Sequence, residues 1–410
     1  MNVKISRHIL TPPVLLLPIK FAFFTIGLFI FFVLKMLRPL IKIRVGCLPQ
    51  YDRIGHLAAI TELYLRRCVR NNDTVGERRI FVSGEPANYQ LLKMIQRRIV
   101  VIKNRSIYRS VLWTHNAISS FIGDSDLWID FPEIYDSFFF YELNNIPPQL
   151  AFTFQEEMRG KQLLKNMGIE QGIPFVCFNV RDKAYLDKMR PTNSPEGWSY
   201  HNYRDCDIHN YLPAVKYLAS LGIFIIRMGY IVEQTLENDE PRIIDYATRY
   251  RTDFGDIYLS AKCKFFLASD GGLSSVPWIF NVPVAYSNAV PAGGAVGWRK
   301  PDVFIPKKLW LREKKRFLTF REILSLGADK WGRSHLYEQA GIEVIENTPD
   351  EILGLVKEMN ARLDGTWITT EEDEELQQRY RTIFPPEHEC CGFYSRIGTE
   401  FLRHNREFLE

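Results

Sequence analysis

"FFLASDGGLSSVPWIFNVPVAY", residues 265–286, sets an apolar run, a knot of Ser, Asp and Gly, a short apolar segment and a second apolar run in succession. Two apolar runs bounded by turn residues read as buried strands, and the piece between them as a short helix. Strand, helix, strand is the unit of a parallel sheet, so this stretch decides the fold class as α/β. Such sheets bind ligands at the carboxyl ends of their strands, where loops lead into helix N-termini. Gly271 and Gly272 permit close backbone approach, and Ser274 and Ser275, with the first N–H groups of the helix, would face an anion. The turn reads as a phosphate cradle; the competing reading is plain strand-to-helix packing.

The same alternation extends in both directions. Upstream, "LIKIRVGC" (40–47), "RIFVSG" (79–84) and "IVVIK" (99–103) read as strands, separated by the amphipathic helices "GHLAAITELYLRRCV" (55–69) and "NYQLLKMIQRR" (88–98). The Pro-containing "ELNNIPPQLAF" (142–152) marks a boundary, and a second series of strands and helices starts at "IPFVCFNV" (173–180). Two Rossmann-like halves in tandem follow. In the late segment "IEVIENTPDEILGLVKEMNARL", Thr348 is placed to cap a helix whose first turn carries Asp350 and Glu351. "TTEEDEELQQRY" reads as a solvated helix face starting at a Thr cap.

The chain has 410 residues, 46% hydrophobic and 24% charged, enough for two or three packed domains, which excludes disorder. A net charge of +4 with no local basic patch argues against nucleic acid. Seven scattered cysteines without C-x-x-C spacing indicate neither a disulfide framework nor a zinc site, and a cytosolic body follows. At the N-terminus an uncharged, mostly apolar stretch runs from Phe21 to Leu34, flanked by Lys4 and Arg7 before it and by Lys35, Arg38, Lys42 and Arg44 after it; extending it back to Val14 takes in Lys20 and Pro18. Its fourteen residues reach about 21 Å, short of the ~30 Å hydrocarbon core. The bulky, basic residues that follow offer no signal-peptide cleavage site, so the segment reads as a membrane-associating helix, spanning, re-entrant or interfacial.

Three arginines fall at strand ends or helix starts of the second half: Arg181 in "CFNVRDKAY", Arg204 in "YHNYRDCDIHNY" and Arg227 in "FIIRMGY". Guanidinium forks suit a diphosphate; the competing reading is salt bridging to nearby acids such as Asp205 or Asp207. In the first half, "GCLPQYDRIGHLA" uses Gly55 to turn tightly into a helix, and either Asp52 or His56 lies where a general base would face the cleft. Two D-x-D tripeptides, at Asp124/Asp126 and Asp205/Asp207, are too common by chance to indicate a metal.

With "RIGHLA", "FNVRD", "YHNYRD", "RMG", the 265–286 stretch and "IENTPDEIL" in this order, residues 40–410 resemble bacterial glycosyltransferases of surface-polysaccharide (capsule or O-antigen type) clusters, with the two-domain GT-B architecture. The resemblance implies an α/β, GT-B-like fold of two Rossmann-like domains facing a cleft. Its parts are a membrane-associating segment (1–39), an N-terminal acceptor domain (40–150), a C-terminal donor domain (151–385) and a final helix (386–410) returning to the first domain. It implies sugar transfer from a nucleotide-diphosphate donor to a hydroxyl acceptor. Ser269, Asp270, Gly271, Gly272, Ser274 and Ser275 would lie at the donor's phosphates or sugar, with Arg181, Arg204 and Arg227 nearby. Asp52 or His56 would serve as the base. No metal or other cofactor is expected, no nucleic acid is a partner, and the acceptor is a glycan or lipid-linked precursor at the cytoplasmic face of the membrane. The alternatives are a sugar-nucleotide epimerase of the same fold and a non-catalytic membrane scaffold.

Overall fold

The computed structural model describes residues 13–37, 39–72, 77–122, 127–134, 136, 138–189, 197–291 and 297–410. The chain opens with helix α1 (Pro13–Leu37) and enters a first sheet made of β1 (Ile43–Cys47), β2 (Arg78–Ser83), β3 (Val100–Lys103) and β4 (Trp128–Ile129). The order is β3-β2-β1-β4, all parallel. Helices α2 (Ile54–Arg70) and α3 (Tyr89–Gln96) join the first three strands, and α4 (Arg105–Ile122) crosses back to β4. Two further helices, α5 (Phe139–Asn145) and α6 (Phe154–Asn166), lead into the second lobe.

There β5 (Phe175–Asn179), β6 (Phe224–Arg227), β7 (Ile243–Asp245), β8 (Phe266–Ala268), β9 (Val284–Ala289) and β10 (Val303–Pro306) form one parallel sheet. A separate antiparallel sheet holds β11 (Lys308–Leu311), β12 (Arg316–Phe317) and β13 (Ile342–Ile345), and β14 (Arg396–Ile397) is the last strand, followed by a short helix (Thr399–His404). The large sheet has the order β14-β10-β9-β8-β5-β6-β7. The 265–286 stretch thus supplies β8, the Ser275–Ile279 helix and the start of β9, with β8 and β9 paired in parallel. The fully buried β8 and β9 read as continuous apolar runs because both faces of a parallel sheet are covered. "IEVI", by contrast, is β13 and pairs antiparallel with β11.

The C-terminal segment, expected to return to the first lobe, stays on the second. β14 adds to the edge of β10, and Thr399 donates from its N–H and hydroxyl to Glu358 on the helix Pro349–Leu363. Arg403 pairs with Asp373 at 2.7 Å on the helix Glu371–Arg381. An open strand edge and two buried carboxylates close at hand satisfy the segment where it emerges.

The lobes share an apolar cluster in which Leu57, Ala58, Leu91 and Met94 meet Ile257, Val276 and Ile279. At its rim α2 inserts Arg66, with no exposed surface at all. Its Nε donates to Glu62 at 2.9 Å, Nη1 to the Leu143 carbonyl at 2.9 Å, and Nη2 to the Ile279 carbonyl and Asn281 Oδ1 at 3.1 and 3.0 Å. Asn88, which caps α3 through its Oδ1, adds a second tie by donating to the Asp253 carbonyl at 2.9 Å.

Removing one partner of a buried ion pair strands the other charge, which costs more than replacing both. Arg66→Met is therefore expected to destabilise the protein by about 3–5 kcal/mol, with the double variant Glu62→Leu/Arg66→Met recovering much of that loss. Denaturant unfolding of the three proteins checks this; a double variant no better than Arg66→Met would show that the contribution of Arg66 is not electrostatic.

Candidate active site

Between the lobes lies a cavity of about 230 Å³. The first lobe contributes Arg53, Ile54, Gly55 and His56, the N-terminal turn of α2. The second contributes the loops after its strands, including Asn179, Arg181, Arg204, Gly229, Gly271 and Gly272. This is the carboxyl edge of both parallel sheets, where ligands of open α/β folds sit.

The seam is made of glycine. A Cβ on Gly55 would come within 2.9 Å of the Gly272 Cα and carbonyl oxygen, and one on Gly272 within 3.3 Å of the Gly55 nitrogen. Gly272 serves close approach as anticipated, but what approaches is the first turn of α2. The residue before α2, Arg53, makes no side-chain cap, and that first turn holds no acid. A seventeen-residue helix thus presents an uncapped, positively polarised end to the cavity.

Several residues of the anticipated cradle do other work. Ser269 is fully buried and its Oγ accepts from the Arg181 N–H at 2.7 Å, tying β8 to β5. Ser274 donates to the Gly271 carbonyl at 2.6 Å, and Ser274 and Ser275 are both buried away from the lining. The Ser275–Ile279 helix is a single short turn, and the serines at its start are buried and absent from the lining, so they shape the loop and do not face the cavity. Asp270 accepts from Arg204 Nε at 2.5 Å and from the Tyr286 hydroxyl at 2.8 Å, and so positions Arg204.

Arg227 corrects the sequence reading most sharply. It is 3% exposed, lies outside the lining, and bonds Asp245 at 3.2 and 3.3 Å. The two residues stand opposite each other in the β6–β7 register, so the ion pair closes inside the sheet. Asp52 is likewise displaced: it is exposed in the turn before α2 and outside the lining, whereas His56 lines the cavity.

Sequence reasoning passed over three basic lining groups. Arg53 sits between the two candidate bases, is exposed, and makes no ion pair with a described carboxylate. Arg251 bonds Asp253 and Asp256 and stacks its guanidinium 3.9 Å from the Tyr230 ring centre. His201 shares the 3-10 turn Ser199–Arg204 with Arg204, three residues apart and hence on one side, a spacing visible in "YHNYRD". Its ring packs against Tyr200 with centroids 4.1 Å apart. Two lining acids are engaged: Asp182 accepts from the Ala184 and Glu233 N–H groups, and Asp256 from Arg251 and Tyr246.

The field here is positive. Burial, then Arg204, Arg181 and Arg53, push the His201 imidazole down to about 4, so it is neutral at pH 7. Burial and Arg204 likewise hold Arg181 below its ordinary range. Burial also works against the charge of Arg204, but Asp270 more than offsets it and holds that guanidinium above its ordinary range. Among the described residues no group of three or more His, Cys, Asp or Glu is placed to hold a metal ion. Asp205 lies 3.2 Å from Arg181 Nε, Asp207 caps the His209 N–H, and Asp124 and Asp126 lie outside the described residues.

No family model matches the sequence, and no curated protein does. The chain is similar in fold to E. coli ADP-heptose lps heptosyltransferase II, with a TM-score of 0.46 and 13% identity over 79% of this chain and all of that one. A glycosyl transferase family 9 structure from Veillonella parvula DSM 2008 gives 0.41 and 10%, covering 65% and 86%. E. coli heptosyltransferase WaaC with ADP gives 0.26 and 10%, covering 65% and 91%. Likeness at this level decides nothing about the cavity residues, which stand on their own geometry.

Two outcomes test the cavity. Arg53→Ala is expected to weaken binding of a nucleoside diphosphate roughly ten-fold at unchanged stability, since it removes an unpaired cation. Arg227→Ala should do the reverse, leaving affinity intact while costing about 3–5 kcal/mol of stability. Calorimetric titration with thermal unfolding reads both, and weakened binding by Arg227→Ala would return that residue to the site.

The second concerns pH. An anion among Arg53, Arg181 and Arg204 screens their charge and raises His201 from about 4 towards its ordinary 6.5, so binding takes up a proton in that window. Affinity should therefore strengthen as pH falls from 6.5 towards 4, and His201→Asn should lose this part of the pH dependence. Comparing the two proteins at each pH cancels the ligand's own ionisation; identical profiles would remove His201 from the ligand's field.

Proposed function

We propose that the protein is a GT-B glycosyltransferase that moves a sugar from a nucleotide-diphosphate donor to a hydroxyl acceptor, a glycan or lipid-linked precursor at the cytoplasmic face of a membrane. The observation that carries the reading is the cavity at the carboxyl edge of both sheets, where Arg53, Arg181 and Arg204 converge beside the uncapped start of α2. Guanidinium forks and helix N–H groups match a diphosphate, and Arg181, Arg204 and the helix start are held in place before any ligand arrives.

In this reading the acceptor oxygen bonds to the anomeric carbon as the carbon's bond to the diphosphate oxygen breaks. Negative charge grows on the departing diphosphate, and preorganised cations stabilise it more in the transition state than in the bound donor. His56, lining the cavity from the first lobe, takes the acceptor proton. The reading calls on no metal, because arginines supply the positive charge.

Incubation with a panel of nucleotide sugars should release nucleoside diphosphate from at least one of them. His56→Ala is expected to lower turnover about 10²–10⁴-fold while keeping donor affinity, and Asp52→Asn to have a far smaller effect. Silence across the panel, with no thermal shift from any nucleotide, would sink the enzymatic reading in favour of a scaffold. Turnover lost only in Asp52→Asn would move the base to that residue.

A further inference from the structure

Helix α1 meets the body of the protein along one side only. Gly27 lies so close to α4 that a Cβ there would overlap Thr114 and the Ser110 carbonyl. Phe23 packs edge-on against Trp113 at 5.4 Å, and Phe31 stacks on Trp128 at 5.9 Å, inside a cluster with Ile43, Val45 and Val111. The opposite side is bare: Phe21, Ile26, Phe29, Phe32 and Met36 are 71%, 49%, 70%, 58% and 80% exposed. At 100° per residue these five fall on one flank, and no charged side chain interrupts it.

The surround has one sign. Neither α1 nor α4 contains an Asp or Glu. Lys35, Lys42 and Arg105 are exposed, Arg109 sits over the Phe23 ring, and none of the four pairs with a described carboxylate. An apolar flank with unpaired cations at its edges complements a bilayer whose headgroups are anionic, acyl chains taking the flank and phosphates the cations. A second copy of the chain would meet its own unpaired cations there. Among the described residues no helix is long and apolar enough to cross a membrane, and α1 is held against α4 through Phe23 and Gly27, so this part of the helix lies along the surface of the protein.

We propose that the α1–α4 pair docks in the plane of an anionic bilayer, with the Phe21–Phe29–Phe32–Met36 flank of α1 entering the acyl layer and Lys35, Lys42, Arg105 and Arg109 reaching headgroup phosphates. Phe23 faces the first turns of α4 and Phe31 meets the start of β4, so α1 runs in the direction of α4 and its earlier half lies towards the end of the sheet where the cavity opens. Tyr108 in that part of α4 packs 4.7 Å from Tyr51, in the loop leading to Arg53. Docking therefore sets the cavity mouth beside the lipid surface. This inference does not depend on sugar transfer, since it needs no donor.

The test is flotation of the full chain with vesicles of phosphatidylcholine, with and without phosphatidylglycerol. Binding should be stronger to the anionic vesicles, and Phe29→Glu/Phe32→Glu should reduce it at least roughly ten-fold. Lys35→Gln and Lys42→Gln should each reduce binding to anionic vesicles about five-fold and leave binding to neutral vesicles unchanged. Phe154→Glu, at an apolar residue equally exposed on α6, should change nothing. In the unaltered protein, amides of residues 21–37 should gain protection from hydrogen exchange when anionic vesicles are added. Absence of that protection, or flotation undiminished by Phe29→Glu/Phe32→Glu, overturns the proposal. So does a dimer in free solution that the same double variant dissociates without any vesicle binding, which would assign the flank to a second copy.

Discussion

A guanidinium with no solvent access must find every acceptor it needs inside the protein, and Arg66 finds them on Glu62, α5, the end of the Ser275–Ile279 helix and Asn281. Glu62 lies on α2 itself and the other acceptors on two segments far apart in the chain, so satisfying one side chain fixes the placement of α5 and of the 275–281 segment against α2. Eleven residues earlier on the same helix, roughly 16 Å away, Gly55 reaches the cavity. The anchored end of α2 thus aims the other end. The cationic cavity inherits its geometry from a buried ion pair that takes no part in it.

Inside the cavity most arginines lean on a carboxylate: Arg204 on Asp270, Arg181 on Asp205, Arg251 on Asp253 and Asp256. The carboxylates hold the guanidinium groups in place without cancelling the field: after burial, Arg204, Arg181 and Arg53 add to the lowering of His201. Cations fixed beforehand need no reorganisation when an anion enters, which is the condition under which they act most strongly on developing charge. Arg53 is the exception, exposed and without a partner among the described carboxylates, and free to adjust to a ligand.

The repeating strand–helix order was legible because each element carries its own period and punctuation. Thr348 and Thr370 cap as read, each closing a capping box with the acid three residues on. Partnership across the fold was not legible. Arg227 and Arg181 both follow the pattern of an arginine at a strand end, yet one faces Asp245 in register and the other lines the cavity, and register is a property of the sheet. Ser274 and Ser275 follow the pattern of an anion-facing turn, but their helix proved too short and too buried to present one. The uncapped end came from α2, whose backbone starts the helix after Arg53, a residue that cannot cap. The antiparallel pairing of "IEVI" was not legible either, because its partner β11, and β12 beyond it, carry too few residues to announce themselves.

The contact between Gly55 and Gly272 brings two main chains together with no side chain between them. Side chains at a domain boundary usually act as washers, swapping rotamers to absorb small slips, and this boundary has none at that point. Relative displacement of the lobes there is transmitted undamped to the α2 terminus and the loop after β8 at once. The width of the crevice and the direction in which its amides point are therefore a single mechanical variable.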